Sequence, residues 1–228
     1  MLNFRRAAVV RVAPFVLFMA ILALRGVAPV DGSWGFDPRW LYPAKVVLVA
    51  SLLVMWWREY GELFSRQVLP TLRETLLAVA VGLLVFVVWI QLDAPWMTLS
   101  VGAAPSAFMP LDAAGALDWP LVLARLAGAA LLVPVMEELF WRSFLMRWIR
   151  HPIFESVLPA QVGLKAVVLS TFVFVLAHTL WLAAIVAGLA YAWIYMRSGK
   201  LWTAVIAHAV TNGALGVWVV ATGNWQFW

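Results

Sequence analysis

Seven stretches of this chain are apolar over lengths close to the ~20 residues that carry a helix across the hydrocarbon of a bilayer. They lie at residues 8–28, 42–58, 74–92, 121–149, 163–179, 182–196 and 201–221, and the fourth is over-long. No water reaches backbone N–H and C=O groups inside lipid, so each stretch must satisfy its own hydrogen bonds as a helix. The expected fold is therefore all-α: a polytopic transmembrane helical bundle of about seven spans, forming a single integral membrane domain over residues 1–228. Composition agrees, because 65% hydrophobic residues, 12% charged residues and a mean hydropathy of +0.93 exceed what a soluble domain can hide. The first stretch also has the beginnings of a secretory signal, with Arg5, Arg6 and Arg11 at its start. Arg25 interrupts its end and no small-x-small cleavage site follows, so it is read as a retained span.

The polar residues define the ends of these spans. Of 15 tryptophans, Trp40, Trp56, Trp57, Trp96, Trp119, Trp202 and Trp225 flank apolar runs, where indole rings favour the headgroup level. Twelve of the sixteen basic residues fall on one side of the bundle: Arg5, Arg6 and Arg11; Arg58, Arg66 and Arg73; Arg142, Arg147, Arg150 and Lys165; Arg197 and Lys200. The other side has Arg25, Arg39 and Lys45, with Arg125 near the outer start of span four, and the acids Asp31, Asp37, Asp93, Asp112 and Asp118. By the positive-inside rule the N-terminus is expected in the cytoplasm and the C-terminus outside.

Several classes of function are disfavoured by what the sequence lacks. The formal charge of +5 is scattered over span ends rather than gathered in a stripe, so no nucleic-acid partner is expected. There is no cysteine, which removes thiol nucleophiles, disulfides and thiolate metal sites. No Gly-rich phosphate loop, internal repeat or pair of broken helices supports nucleotide-driven or proton-coupled transport. The segments 31–39 and 93–119, rich in Gly, Pro and Asp, read as outer turns, the second with room for a short interfacial helix.

Three polar motifs interrupt the apolar spans. They are Glu137-Glu138-Leu139-Phe140-Trp141-Arg142, Phe174-Val175-Leu176-Ala177-His178 and His208-Ala209-Val210-Thr211-Asn212. Ionisable groups are costly in hydrocarbon, so a set of them there is a functional hypothesis by default. Glu138 and Arg142 are spaced for an i,i+4 ion pair, whereas Glu137 points ~100° away and lacks that partner. Glu137 is thus the candidate working carboxylate, against the structural alternative of an ion-pair cluster at the end of span four. Phe174 and His178 share one face, and so do His208 and Asn212, which by themselves also suit helix packing. Taken together, a carboxylate, two imidazoles and an amide from three helices match a water-activating base with donors for an oxyanion.

These ordered motifs, EExxxR, FxxxH and HxxxN, resemble the CAAX prenyl protease and bacteriocin-processing family of glutamate-dependent intramembrane endopeptidases, over residues 121–215 as a catalytic-motif core. The turn Arg197-Ser198-Gly199-Lys200-Leu201-Trp202 is similar to the family's short basic-Gly turn. The resemblance implies that Glu137 and His178 activate water, that His208 and Asn212 steady the oxyanion, and that Glu138, Arg142 and Phe174 organise the site. It implies no cofactor, a membrane-associated protein or peptide as substrate, and, from the resemblance to the bacterial CAAX protease-related branch, a bacterial inner membrane. HExxH, Gly-x-Gly-Asp and Gly-x-Ser-x-Gly are absent. A zinc ion held by Glu137, His178 and His208 stays open as an alternative, as does a non-catalytic immunity, chaperone or scaffold protein of the same family.

Depth is the obstacle to this reading. Hydropathy places Glu137 toward the cytoplasmic half of span four and His178 near the outer end of span five. They meet only if span four runs to about Ile149 and span five is short, ending in a water-filled cavity.

Overall fold

The computed structural model describes residues 6–29, 33–64, 68–99 and 107–228. Arg5, Asp31 and Arg66, counted in the charge asymmetry above, lie outside these residues. Seven main helices follow one another: α1 (Arg6–Val27), α2 (Leu41–Met55), α3 (Leu72–Trp89), α4 (Trp119–Arg150), α5 (Leu164–Leu176), α6 (Trp181–Ser198) and α7 (Leu201–Thr222). Six of these, with α2 lengthened by the 3₁₀ turn Pro38–Trp40, are long and apolar enough to cross a membrane. The fifth has 13 residues. At 1.5 Å per residue it reaches ~20 Å, short of the ~30 Å hydrocarbon layer. Among the described residues there is no strand beyond two isolated bridges. In the segment 93–119 the described helical structure before α4 is the single 3₁₀ turn Pro95–Met97.

The short α5 has visible causes. Its last backbone bonds tighten, Ala177 N–H donating to Phe174 O and His178 N–H to Val175 O, and Leu99 N–H donates to Thr179 O at 2.7 Å. The 98–99 strap thus claims backbone that would otherwise continue the helix. Thr98 also bridges Leu180 before α6 begins at Trp181.

By contrast α4 runs unbroken for 32 residues, but not as one regular helix. Two π segments, Gly128–Leu132 and Leu139–Leu145, lie either side of Glu137 and Glu138. The first precedes Pro134, which has no N–H to offer and whose ring crowds the preceding turn, so the widened turn relieves a clash inside lipid.

Around α4 the bundle closes on α7. A capping box of Thr71 and Glu74 starts α3, and Glu74 also pairs with Lys200 Nζ at 2.8 Å, so α3 and α7 begin side by side and run parallel. Midway, Gly82 lets the two backbones touch: a Cβ there would lie 2.8 Å from Val210 Cβ and closer still to Ala207 O. Close approach of small residues is how helices associate where water supplies no driving force. Gly199, at φ +71°, makes the turn that returns α6 into α7. Away from this centre Leu76, Leu84, Leu131, Leu164 and Val217 are exposed on the outer helix faces, as lipid contact requires.

Candidate active site

Glu137 sits in the six-residue α-helical piece between the two π segments and is 7% exposed. Its Oε2 accepts a hydrogen bond from Trp141 Nε1–H at 3.2 Å, and among the described residues it belongs to no ion pair. Glu138 faces elsewhere. Its Oε2 lies 3.2 Å from Arg142 Nε, and its Oε1 accepts from His208 Nδ1 at 2.9 Å. The sequence pattern foresees the pair with Arg142 but not the bond to His208, because no spacing rule links positions on two helices.

The Glu138 bond decides which side of His208 is available. A carboxylate accepts, so Nδ1 carries the proton and Nε2 is left for the cavity. Tyr191 stacks on the same imidazole, with ring centres 4.9 Å apart and planes 20° from parallel. The Tyr191 hydroxyl donates to Thr211 Oγ1 at 2.8 Å, which in turn shares its proton between Gly82 O and Ala207 O. Sequence reading missed Tyr191; a tyrosine in the middle of a span, whose hydroxyl must find a partner, is the signal that could have found it.

Arg142 is held from several sides. Nη2 donates to Gly188 O at 3.1 Å, and the guanidinium carbon lies 5.0 Å from the Phe174 ring and 5.6 Å from that of Tyr191. Glu138 Oε2 and Arg142 Nη1 have no aligned hydrogen bond, so the contact between these side chains is one of charge more than of geometry.

His178 lies two residues beyond α5, in the turn before α6. The expectation that it shares a helical face with Phe174 is met in space though not in secondary structure: the rings stand 4.2 Å apart. Nδ1 bonds Phe174 O at 2.7 Å. A carbonyl only accepts, so the Nδ1 proton is committed there and Nε2 is free. The same carbonyl also accepts from the Ala177 N–H, its two lone pairs serving both donors.

Depth no longer separates the two groups. Glu137 is 13 residues before the C-terminal end of α4 and His178 14 beyond the start of α5, so helical rise separates each from that end by ~20 Å. Glu137, His178, His208 and Asn212 all line one cavity of about 180 Å³, together with Phe174, Tyr191 and Thr211. Asn212 donates through Nδ2 to Ala129 O, in the first π segment, at 2.9 Å. The second hydrogen of that amide is available to a ligand. The cavity wall also contains Trp89, whose ring meets His178 edge-on at 5.9 Å, and, at the far end, Arg125 and Trp228.

Among the described residues no three His, Asp or Glu side chains gather as a metal ion would need.

Six membrane-length helices around a cavity lined by ionisable groups define a polytopic integral membrane protein with a polar centre within the bundle. Residues 119–214 match the family described as Rce1-like, type II CAAX prenyl endopeptidase Rce1-like. Over those residues, less than half of the chain, the sequence is similar to that family, and the match supports peptidase activity in general terms. Neither the curated proteins nor the solved structures give a match.

Proposed function

We propose that this protein is an intramembrane endopeptidase that cuts a membrane-associated protein or peptide by a metal-free, glutamate-dependent route. The observation that carries this reading is the convergence of Glu137, His178, His208 and Asn212, from distant parts of the sequence, on one cavity. Glu137 takes a proton from a water whose second hydrogen is held by His178 Nε2. The oxygen adds to the scissile carbonyl carbon, and the carbonyl electrons move onto oxygen. His208, in the imidazolium form that keeps Nδ1–H on Glu138, donates from Nε2 to that oxyanion together with the Asn212 amide. As the intermediate collapses, the peptide nitrogen leaves with the proton that Glu137 took, and the carboxylate is restored.

Glu138 and Arg142 act on this chemistry through position. Glu138 holds His208 by Nδ1, and Arg142 balances the Glu138 charge, so the imidazole is aimed without either group touching substrate. The asymmetry of basic residues supports a cytoplasmic N-terminus and an outer C-terminus, and the resemblance supports a bacterial inner membrane.

The test is a comparison of membrane-protein termini in cells with wild type or Glu137→Gln at matched expression. Termini that depend on Glu137 are expected. Identical termini, with the cellular phenotype intact in the variant, would replace the protease with a binding or immunity protein. Turnover unaffected by a chelator is also expected; chelator-sensitive turnover restored by zinc would overturn the metal-free step.

A further inference from the structure

The far end of the cavity holds a cation, Arg125, that belongs to no ion pair among the described residues. Arg125 precedes Glu137 by twelve residues on α4, ~18 Å of helical rise, and a stripe of Arg125, Ala129, Val133 and Glu137 lines the cavity between them. The Arg125 guanidinium is surrounded by rings: its carbon lies 4.5 Å from the centre of Tyr42, 5.5 Å from Phe108 and 6.0 Å from Trp228. Lys45, 1% exposed, has its Nζ 4.6 Å from the same Tyr42 ring, and the Arg25 guanidinium is 5.2 Å from Phe108. Three cations therefore converge on a Tyr42–Phe108 pair whose ring centres are 5.7 Å apart.

Arg125 and Lys45 have no salt-bridge partner among the described residues. Arg125 Nε is buried with no hydrogen-bond partner among them. Of the acids on this side, Asp37 is committed to Arg39, Asp112 to the Ala114 and Ala116 N–H groups, and Asp118 to the Leu121 N–H. Ring faces offset part of the cost of burying a cation, but they do not satisfy N–H donors. A guanidinium whose Nε–H is left open fits a planar oxyanion, a group that guanidinium can grip through Nε and a neighbouring Nη.

We propose that Arg125 is a specificity-determining residue that takes a carboxylate of the peptide substrate, either a chain terminus or an Asp or Glu side chain. The assignment rests on the protease reading above, which makes the occupant of this cavity a peptide. The ~18 Å of helix, shortened by the reach of both side chains, spans a few residues of extended chain at ~3.4 Å each. Arg25 and Lys45 add positive potential around the same rings without lining the cavity. A lipid phosphate shares this anionic chemistry. The position of Arg125 on the wall that leads to Glu137 favours the peptide.

Binding is tested in the full-length Glu137→Gln protein in nanodiscs, by calorimetry, so that no hydrolysis is needed. The probes are N-acetylated apolar hexapeptides with a free or an amidated C-terminus, and amidated ones with an internal Glu or Gln. A carboxylate form is expected to bind at least tenfold tighter than its neutral twin, and Arg125→Gln to erase that difference. Discrimination by the free C-terminus identifies the chain terminus as the ligand; discrimination by Glu over Gln identifies a side chain. Arg125→Lys, which keeps the charge but not the fork, is expected to retain a difference at least threefold smaller than wild type, and it carries the test if Arg125→Gln does not fold. The proposal is overturned by equal affinity for charged and neutral peptides, by discrimination unchanged in Arg125→Gln or Arg125→Lys, or by a loss that falls equally on both. It is also overturned if Arg125→Gln strips co-purified anionic lipid, read by mass spectrometry, and leaves peptide discrimination intact. Loss of the protease reading would show in the termini experiment while leaving this discrimination untouched.

Discussion

The two ends of the α4 stripe handle buried charge in opposite ways. At the inner end Glu138, Arg142 and His208 turn toward one another, and Gly188 O, Phe174 and Tyr191 hold what remains. At the other end Arg125 and Lys45 face aromatic rings, and neither belongs to an ion pair among the described residues. A closed set of charges fixes geometry, because removing one partner strands the other; an open cation keeps its binding capacity for something that arrives. Between the two lies Glu137, bonded by Trp141 alone among the described hydrogen bonds and therefore the least constrained acid of the three-helix cluster.

The comparison breaks most visibly at Glu137. Glu137→Gln keeps the size and the Trp141 bond but removes the base, so a loss of ~10³-fold in turnover is expected, within the range typical of general bases. The melting temperature should stay within a few degrees of wild type, and a large fall in it would mark Glu137 as structural. At Glu138 the expected effect is on stability instead. Glu138→Ala leaves the buried Arg142 uncompensated, which costs ~3–5 kcal/mol. Adding Arg142→Leu should recover a large part of that loss in denaturant titrations of the micellar protein, and no recovery would show that the pair is not coupled.

Tyr191 sharpens the contrast between aiming and chemistry. Tyr191→Phe keeps the ring on His208 and gives up the bond to Thr211, so ~1 kcal/mol of stability and little activity should be lost. Tyr191→Leu removes the stack and should lower kcat by ~10-fold, as expected when a catalytic group loses orientation. Equal effects of the two variants would remove the stack from the argument.

The smallest effect is expected outside the membrane. The Arg39 guanidinium, by its hydrogen bond, holds the Asp37 carboxyl below its ordinary value of 3.8, and Arg39 also donates to Met109 O and Leu111 O. A depressed carboxyl stabilises the fold above its unfolded value and loses that contribution as pH falls through the folded one. Both side chains are about a third exposed, so solvent screens the pair to below ~1 kcal/mol. Asp37→Asn should therefore flatten stability against pH only below about pH 4, and a change near neutrality would point to a different group.

Much of the site was readable before any coordinates. Spacing within one helix assigns Glu138 to Arg142 and turns Glu137 away from it, and both assignments hold in space. The run to Ile149 and the short fifth span follow from requiring Glu137 and His178 to meet. What spacing could not give is every relation between helices: the hand of Glu138 on His208, the ring of Tyr191 over it, and the carbonyl of Ala129 on Asn212. The π segments were hidden as well, since Pro134 reports a disturbed turn but not how α4 absorbs it.

The sequence by itself determined that the chain lives in a membrane as helices, because lipid offers no other partner for the backbone, and it marked the few intramembrane charges as candidate functional residues. Tertiary structure alone decided which nitrogen of each histidine is free, which charges close on each other and which stay open. Those outcomes depend on distances between residues 46 to 83 positions apart, as in Arg142 to Gly188, Glu138 to His208 and Asn212 to Ala129, where sequence periodicity carries no information.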